Sequence, residues 1–320
     1  TSKLRPIERK APFGQRCDPS ELGADVMVRR WFYWRRSLVL WATLPLLLGG
    51  CAEFMLGGPE LPPSQNWSVR PEPVIPAGTF RAKALWNDPS VLSTKDGYVL
   101  YLTTSMGEPF QPPVLPFRAT SADGQRWSLD PQEPLLQPDG GPYVSIETPS
   151  VVRFRGQWHM FFTGIYPAGG PAPMHIGHAV SRDGRAWTIR DWTFLTTKPD
   201  TWRSYLVGEP GAVVVGDRLH VYFSASTGRP GGGPPLQVIG MVTSQDGRTF
   251  TSPRQVLGQG PVYPPSKGFA GYSAPAAMVR NGQVELYYTV AHWNESRDPS
   301  WLQVALHRAR SPDGLGRLVE

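Results

Sequence analysis

The chain has 320 residues, with 18% charged and 40% hydrophobic residues and a formal net charge of +6 at pH 7. Its 34 glycines and 35 prolines argue against an α-rich enzyme and favour a fold of many short strands and turns. Much of the positive charge lies in the first 36 residues and the remainder is close to neutral, so the basic pI does not indicate a nucleic-acid partner.

An apolar run, SLVLWATLPLLLGG, occupies residues 37–50, follows four arginines and ends at Cys51. The run is too short to cross a bilayer comfortably as a helix. Basic residues, an apolar stretch and small residues before a cleavage site are typical of an export signal. Ending at Leu-Gly-Gly-Cys, the segment resembles a bacterial lipoprotein signal, which implies that Cys51 is lipidated. The alternative is a buried or anchoring helix at 37–50.

This interpretation divides the chain into four segments. A signal peptide starting at Met27 covers 27–50, and 1–26 would be upstream sequence foreign to the native protein. Residues 51–80, rich in proline, would form an extended tether from the membrane, and the alternative for part of this stretch is that it joins the folded domain. Residues 81–320 contain no cysteine, which suits an oxidising compartment. The expected location is the bacterial cell envelope, with the protein facing the periplasm or the exterior.

From residue 81 onward one pattern recurs four times with a period of about 60 residues. Each unit has a strand rich in small or branched residues, a tight turn, an aromatic strand, a longer loop and a Ser-x-Asp-Gly turn. Four antiparallel strands per unit, repeated radially, predict an all-β fold, a β-propeller of four-stranded blades. The units open at NDPSVL (87–92), ETPSVV (147–152), GEPGAV (208–213) and SAPAAM (273–278).

The Ser-x-Asp-Gly-x-x-Trp segments resemble the Asp-box of sialidases. In that turn the aspartate caps backbone amides and the aromatic residue packs between sheets, so a structural role is expected. We therefore assign no catalytic role to the four aspartates, Asp123, Asp183, Asp246 and Asp313.

Closure of the propeller is less certain from the sequence. Four units are visible, whereas the families that the repeat resembles have five blades. The fifth blade could form from residues 52–85, or the chain could be cut short at Glu320, and the sequence leaves both alternatives open.

The starts of the innermost strands converge at one mouth of a propeller. We expect Asp88, Glu147, Glu209 and Ser273 to occupy the same position in their units, which would place three carboxylates around one funnel. Like charges at close range separate pKa values, so one acid can stay protonated while another is ionised. Glycoside hydrolysis needs such a pair.

These segments resemble the five-bladed glycoside hydrolases of family 43, together with the related invertase and levansucrase group, over roughly 81–320. The resemblance implies that Asp88 in Trp-Asn-Asp-Pro is the base and Glu209 in Gly-Glu-Pro is the general acid. Glu147 stands where the family has an aspartate that tunes pKa. Its extra methylene would shift a catalytic trio by about an ångström, which puts that role, and activity itself, in question.

Other residues are candidates to bind an oligosaccharide or polysaccharide, although packing is the simpler interpretation for each. His175 and His292 could also coordinate an ion on the axis, such as calcium. The alternative function is a non-catalytic carbohydrate-binding or degenerate propeller. The sequence contains no phosphate loop, zinc spacing or dinucleotide fingerprint, and sialidase chemistry is not favoured. The candidate substrate-binding residues are Trp86, Asn87, His175, Trp202, Tyr272, Ser273, His292 and Trp293.

Overall fold

The computed structural model describes residues 71–227, 237–258, 269–292 and 303–315. The predicted signal peptide at 27–50, Cys51 and Trp293 lie outside these residues. Within the described ranges every regular element is a strand, and no helix there is long and apolar enough to cross a membrane. The all-β prediction is therefore confirmed.

In the described part of the chain, fifteen strands form four successive units, each of which is one blade. The first blade contains β1 (Asn87–Thr94), β2 (Gly97–Ser105), β3 (Val114–Ser121) and β4 (Ser128–Leu129). The second contains β5 (Ser145–Phe154), β6 (Gln157–Ile165), β7 (Met174–Ser181) and β8 (Trp187–Leu195). The third contains β9 (Leu206–Val215), β10 (Arg218–Ser226), β11 (Gln237–Ser244) and β12 (Arg254–Leu257), and the fourth β13 (Phe269–Arg280), β14 (Gln283–His292) and β15 (Gln303–Ser311).

Strands that follow one another within a blade pair antiparallel, as the repeat predicts. The third and fourth blades also share one parallel contact between β11 and β13, at Gln237 and Gly271. This architecture confirms the β-propeller. Residues 71–86 form turns and no strand, but Ile75 and Phe80 pack against the core of the first blade, so part of the predicted tether belongs to the folded domain.

The core lies between neighbouring blades, where each sheet packs its apolar face on the next. Alternating Val, Tyr, Phe and Leu residues along the second strands supply these faces because successive side chains of a strand point to opposite sides. Tyr101 and Met160 lie in the interface between the first and second blades. Phe161 and Phe223 lie between the second and third blades, and Tyr222 and Tyr288 lie between the third and fourth.

The four Ser-x-Asp-Gly turns are structural, as predicted. In the first, Asp123 Oδ1 accepts hydrogen bonds from the backbone amides of Gln125 and Arg126, both at 2.9 Å. These amides lower the pKa of Asp123 to about 2. The same bonds recur at Asp183 and Asp246, and Asp313 accepts the amide of Leu315.

Tyrosine hydroxyls fasten these turns to the preceding blade. Tyr101 on β2 donates to the Gly184 carbonyl at 2.9 Å, and Tyr222 on β10 donates to the Gly314 carbonyl at 2.8 Å. The turns therefore hold the blades together at the end opposite the starts of the innermost strands. The candidate site lies at those strand starts.

Candidate functional site

Each innermost strand has a β-bulge near its start. In β1 the partners change from Asn87 with Thr103 to Ser90 with Tyr101, so an additional residue is accommodated. In all four blades the residue before the proline adopts a left-handed backbone, an uncommon conformation for residues other than glycine that costs about 1–3 kcal/mol. These residues are Asp88 (φ 56°), Thr148 (φ 47°), Glu209 (φ 51°) and Ala274 (φ 50°).

The register at the bulge shows that the acidic residues are not all equivalent, contrary to the prediction. Glu147 pairs with Thr163 just before the bulge, as Asn87 pairs with Thr103 and Ser273 with Thr289. The prediction that Glu147 and Ser273 share the position of Asp88 and Glu209 is therefore wrong.

Thr148 and Ala274 occupy that position instead. The physical difference is one of accessibility, since Glu147 is only 1% exposed whereas Asp88 and Glu209 are half-buried. Each left-handed residue precedes a proline, and alignment on those prolines would have revealed the correct register.

Both accessible carboxylates are anchored in the same way. Thr103 Oγ1 on β2 donates to Asp88 Oδ2 at 2.7 Å, and the Thr148 amide lies 3.4 Å from the same oxygen. Ser224 Oγ on β10 donates to Glu209 Oε2 at 2.7 Å, and the Ala274 amide donates to that oxygen at 2.9 Å. Each carboxylate thus receives a hydroxyl from its own blade and an amide from the next.

A hydrogen-bond chain joins these two anchors around the axis. Thr148 Oγ1 and Thr163 Oγ1 are 2.5 Å apart, and the Glu209 amide donates to Thr163 Oγ1 at 2.7 Å. The chain runs from Asp88 through the second blade to Glu209 and on to Ala274. Asp88 and Glu209 therefore lie on one chain of hydrogen bonds around part of the axis, here called the ring, with one blade and the hydroxyls of Thr148 and Thr163 between them. Two carboxylates held in this way are able to act as an acid and a base.

The aromatic candidates lie in packed positions. Trp86 donates from Nε1 to the Thr79 carbonyl at 2.8 Å and meets Phe117 edge to face. Trp202 stacks on Phe223, with ring centroids 5.9 Å apart. Tyr272 is buried against Tyr288 in the core between the third and fourth blades. These contacts favour packing over the expected stacking on sugar rings.

His175 is likewise held inside its blade. It is buried, hydrogen-bonds to Tyr166 Oη and Thr197 Oγ1 at 3.1 Å each, and accepts the Thr197 amide at Nε2. Burial lowers its pKa to about 4, which keeps the ring neutral. The expected contact of His175 with a ligand therefore conflicts with its surroundings.

The remaining candidates divide between framework positions and undescribed side chains. Asn87 donates to the Leu85 carbonyl at 2.8 Å, and Ser273 is buried just before the fourth bulge. The side chain of His292 and all of Trp293 lie outside the description, so their predicted roles stay predictions. Among the described residues no group of three or more His, Cys, Asp or Glu side chains could hold a metal ion.

Sequence reasoning missed the hydroxyl residues that support the carboxylates, Thr103, Thr163 and Ser224. Their signal is present in the repeat, because the seventh residue of the second strand of each blade is Thr or Ser. The pairing of these residues with the strand starts became apparent only from the sheet register.

No family model and no curated protein sequence matches this chain. Solved structures do match. A glycoside hydrolase is 14% identical with a TM-score of 0.57, and the match covers 77% of this chain and 75% of that one. A thermostable family-43 glycoside hydrolase is 14% identical with a TM-score of 0.54, covering 74% and 72%. A β-1,2-mannobiose phosphorylase from Listeria innocua is 12% identical with a TM-score of 0.51, covering 74% and 75%. The chain therefore has the propeller fold of these carbohydrate-active proteins.

Proposed function

We propose that this propeller cleaves a glycan by carboxylate acid/base catalysis, with Asp88 and Glu209 as the catalytic pair. The observation that supports the proposal is the equivalent placement of these two acids at accessible bulges of the first and third blades. Each is held by a hydroxyl and approached by the amide of the next blade. Residues that are held in an unfavourable backbone conformation are typical of functional sites, and both carboxylates belong to such residues.

The chemistry assigns one role to each acid. Glu209 as general acid gives its proton to the glycosidic oxygen while the bond from that oxygen to the anomeric carbon breaks. Asp88 either takes a proton from the attacking water or attacks the anomeric carbon itself. Hydrolysis of this kind requires two carboxyl groups, both of which the ring provides.

The third acid predicted for the funnel is absent from the ring among the described residues, because Thr148 occupies its position. The ring consequently carries two carboxyl groups instead of three. A hydroxyl can hydrogen-bond a sugar or orient a neighbouring group, but it cannot separate the pKa values of the two acids by its charge. Catalysis would therefore depend on Asp88 and Glu209 alone.

Thr148 also favours the second candidate, a non-catalytic carbohydrate-binding propeller on the same scaffold. The two functions differ in what happens to a bound glycan. A binding module would retain an oligosaccharide unchanged, whereas the enzyme would release a reducing end. Substitution of either acid would weaken a binding module and would abolish product release by an enzyme.

The test begins with a screen of aryl-glycosides and plant or bacterial polysaccharides with the parent protein. Asp88→Asn and Glu209→Gln are then compared with the parent on a cleaved substrate whose leaving group needs a proton, such as a polysaccharide or an alkyl glycoside. Exposed acids supply matched controls, Asp96→Asn for the first variant and Glu133→Gln for the second. We expect at least a 1,000-fold loss of turnover in the site variants, of the order reported for lost acid/base groups, and full activity in the controls. Full turnover in either site variant would overturn the assignment.

We also propose that the protein is anchored by lipid at Cys51 to a membrane of the bacterial cell envelope. The support is the sequence of the apolar run and the Leu-Gly-Gly-Cys segment that ends it. Labelling with a radioactive fatty acid in a bacterial host should mark the parent and leave Cys51→Ala unlabelled and unprocessed. A Cys51→Ala protein that still carries the label would contradict the proposal.

A further inference from the structure

The second strand of every blade carries a hydroxyl residue directly opposite the start of the bulge. The four are paired in the same register, Thr103 with Asn87, Thr163 with Glu147, Ser224 with Gly208 and Thr289 with Ser273. Thr103, Thr163 and Ser224 are fully buried. A hydrogen-bond partner stabilises a hydroxyl at this depth, because a buried polar group has lost its contact with water.

Ser224 has its hydroxyl proton directed by its neighbours. The Ala274 amide lies 2.9 Å from Ser224 Oγ and can only donate, so Ser224 accepts from it. The hydroxyl proton is then free to point at Glu209 Oε2, which lies 2.7 Å away. The same amide is also 2.9 Å from Glu209 Oε2. This oxygen of the carboxyl group therefore faces two donors.

Two donors at one oxygen decide where a carboxylic acid can carry its proton. A proton on Oε2 would face the Ser224 hydroxyl proton and the Ala274 N–H, whereas a proton on Oε1 meets neither. Among the described residues no hydrogen bond reaches Glu209 Oε1. The protonated acid is thus arranged with Oε2 as acceptor and Oε1 as donor.

We propose that Ser224 is a positioning residue that reserves Oε2 of Glu209 as an acceptor and so presents the proton of the general acid on Oε1. The inference rests on the proposed function, since it names the atom through which Glu209 would protonate the glycosidic oxygen. In the transfer, the O–H bond at Oε1 breaks, the proton moves to the leaving oxygen, and the charge left on Glu209 is stabilised at Oε2 by the two donors.

Kinetics of three variants test the role on a substrate that the parent cleaves. Ser224→Ala removes the hydroxyl, Ser224→Thr keeps it, and Ser226→Ala is the matched control. Ser226 is also fully buried, lies two residues further along β10, and has a hydroxyl with no partner among the described residues.

We expect Ser224→Ala to lower kcat about 10- to 100-fold with KM changed less than threefold, because the substrate still binds while the acid is misplaced. Ser224→Thr should recover most of kcat, and Ser226→Ala should match the parent. Equal kcat losses in Ser224→Ala and Ser226→Ala would mean a merely structural role and would overturn the proposal, as would full kcat in Ser224→Ala.

A crystal structure of Ser224→Ala separates this proposal from the proposed function. The positioning role predicts that the Glu209 carboxyl group turns away from its parental orientation or occupies several orientations. A carboxyl group that keeps the parental orientation would overturn the proposal even if the parent were inactive on every glycan tested. Loss of orientation in an inactive protein would instead support the positioning role and refute only the catalytic one.

Discussion

Two buried histidines between the second and third blades make the stability of the fold depend on pH. His159 Nδ1 and His178 Nε2 are 3.0 Å apart, and both residues are 1% exposed. Phe161 stacks on His178 at 4.5 Å, and Phe194 and Phe250 also contact the ring. One neutral ring can donate to the other, so the pair is satisfied only while at least one ring is uncharged.

Burial, with a smaller contribution from Arg190, lowers the pKa of His159 to about 4. The pKa of His178 falls to about 3 from burial, His159 and Arg190. In the unfolded chain the histidines have a pKa of about 6.5, so below that pH the unfolded chain binds more protons than the folded protein. Stability is therefore complete above about pH 6.5 and decreases as the pH falls towards the folded values. At pH 5 each histidine accounts for a loss of about 2 kcal/mol, in a pair that titrates as a unit.

The substitution His178→Phe isolates the contribution of His178 to the pH dependence of stability. It keeps an aromatic ring beside Phe161 and removes one titrating group, although it leaves His159 without its partner and so lowers stability at neutral pH by about 1–3 kcal/mol. Phe194→Leu is the matched control, because its ring lies 5.5 Å from His178 and its shortening disturbs the same core without removing a charge.

Thermal unfolding followed at several pH values between 5 and 8 measures the effect. The fall in Tm on acidification should be smaller in His178→Phe than in the parent by about 4–8 °C, which corresponds to about 2 kcal/mol for a domain of this size. Phe194→Leu should lower Tm equally at every pH. If the parent and His178→Phe lost stability in parallel between pH 8 and pH 5, the histidine pair would not be the source of the pH dependence.

Three further substitutions test the packing of the blades and the corrected register. Gly211→Ala would place its Cβ 2.1 Å from the Pro275 carbonyl oxygen, so a marked loss of Tm is expected; an unchanged Tm would show that the fourth blade can shift without cost. Tyr222→Phe should cost about 1 kcal/mol in urea unfolding because the Gly314 carbonyl loses its donor. Glu147→Gln should leave turnover of a cleaved glycan within tenfold of the parent, since this residue is buried and does not occupy the accessible position of Asp88 and Glu209. A loss as large as that of Asp88→Asn would return Glu147 to the catalytic group.

The architecture could be predicted from the sequence because its signals are local. An Asp-Gly turn and an aromatic strand identify each blade within a stretch of about 40 residues, and their recurrence gives the period of the repeat. The turn at Asp123 behaves as expected, with its carboxylate bonded to two amides. These features depend on backbone conformation close to each residue and little on distant contacts.

The site was only partly predictable because it depends on sheet register. Glu147 lies one residue before the left-handed position that Asp88 and Glu209 occupy in their blades, although the three look equivalent when the units are compared by their charges. The support from Thr103 and Ser224 also depends on the sheet register, since each hydroxyl reaches its carboxylate from the neighbouring strand.

Aromatic residues near the strand starts gave no reliable signal either. Trp86 and Trp202 satisfy the packing of their own blades, and a large ring beside a predicted funnel fills a core as readily as it binds a sugar. Burial distinguishes the two uses, and burial is a property of the folded chain.

The central claim is that Glu209 donates a proton to the leaving group while Asp88 acts at the anomeric carbon. The most direct measurement compares turnover of each variant on two glycosides of the cleaved sugar, one with a dinitrophenyl leaving group and one with an alkyl leaving group. A leaving group that needs no proton makes the general acid dispensable. We predict that Glu209→Gln keeps most of its activity on the dinitrophenyl glycoside and loses it on the alkyl glycoside, whereas Asp88→Asn is inactive on both. Equal losses of Glu209→Gln on the two substrates would contradict the account.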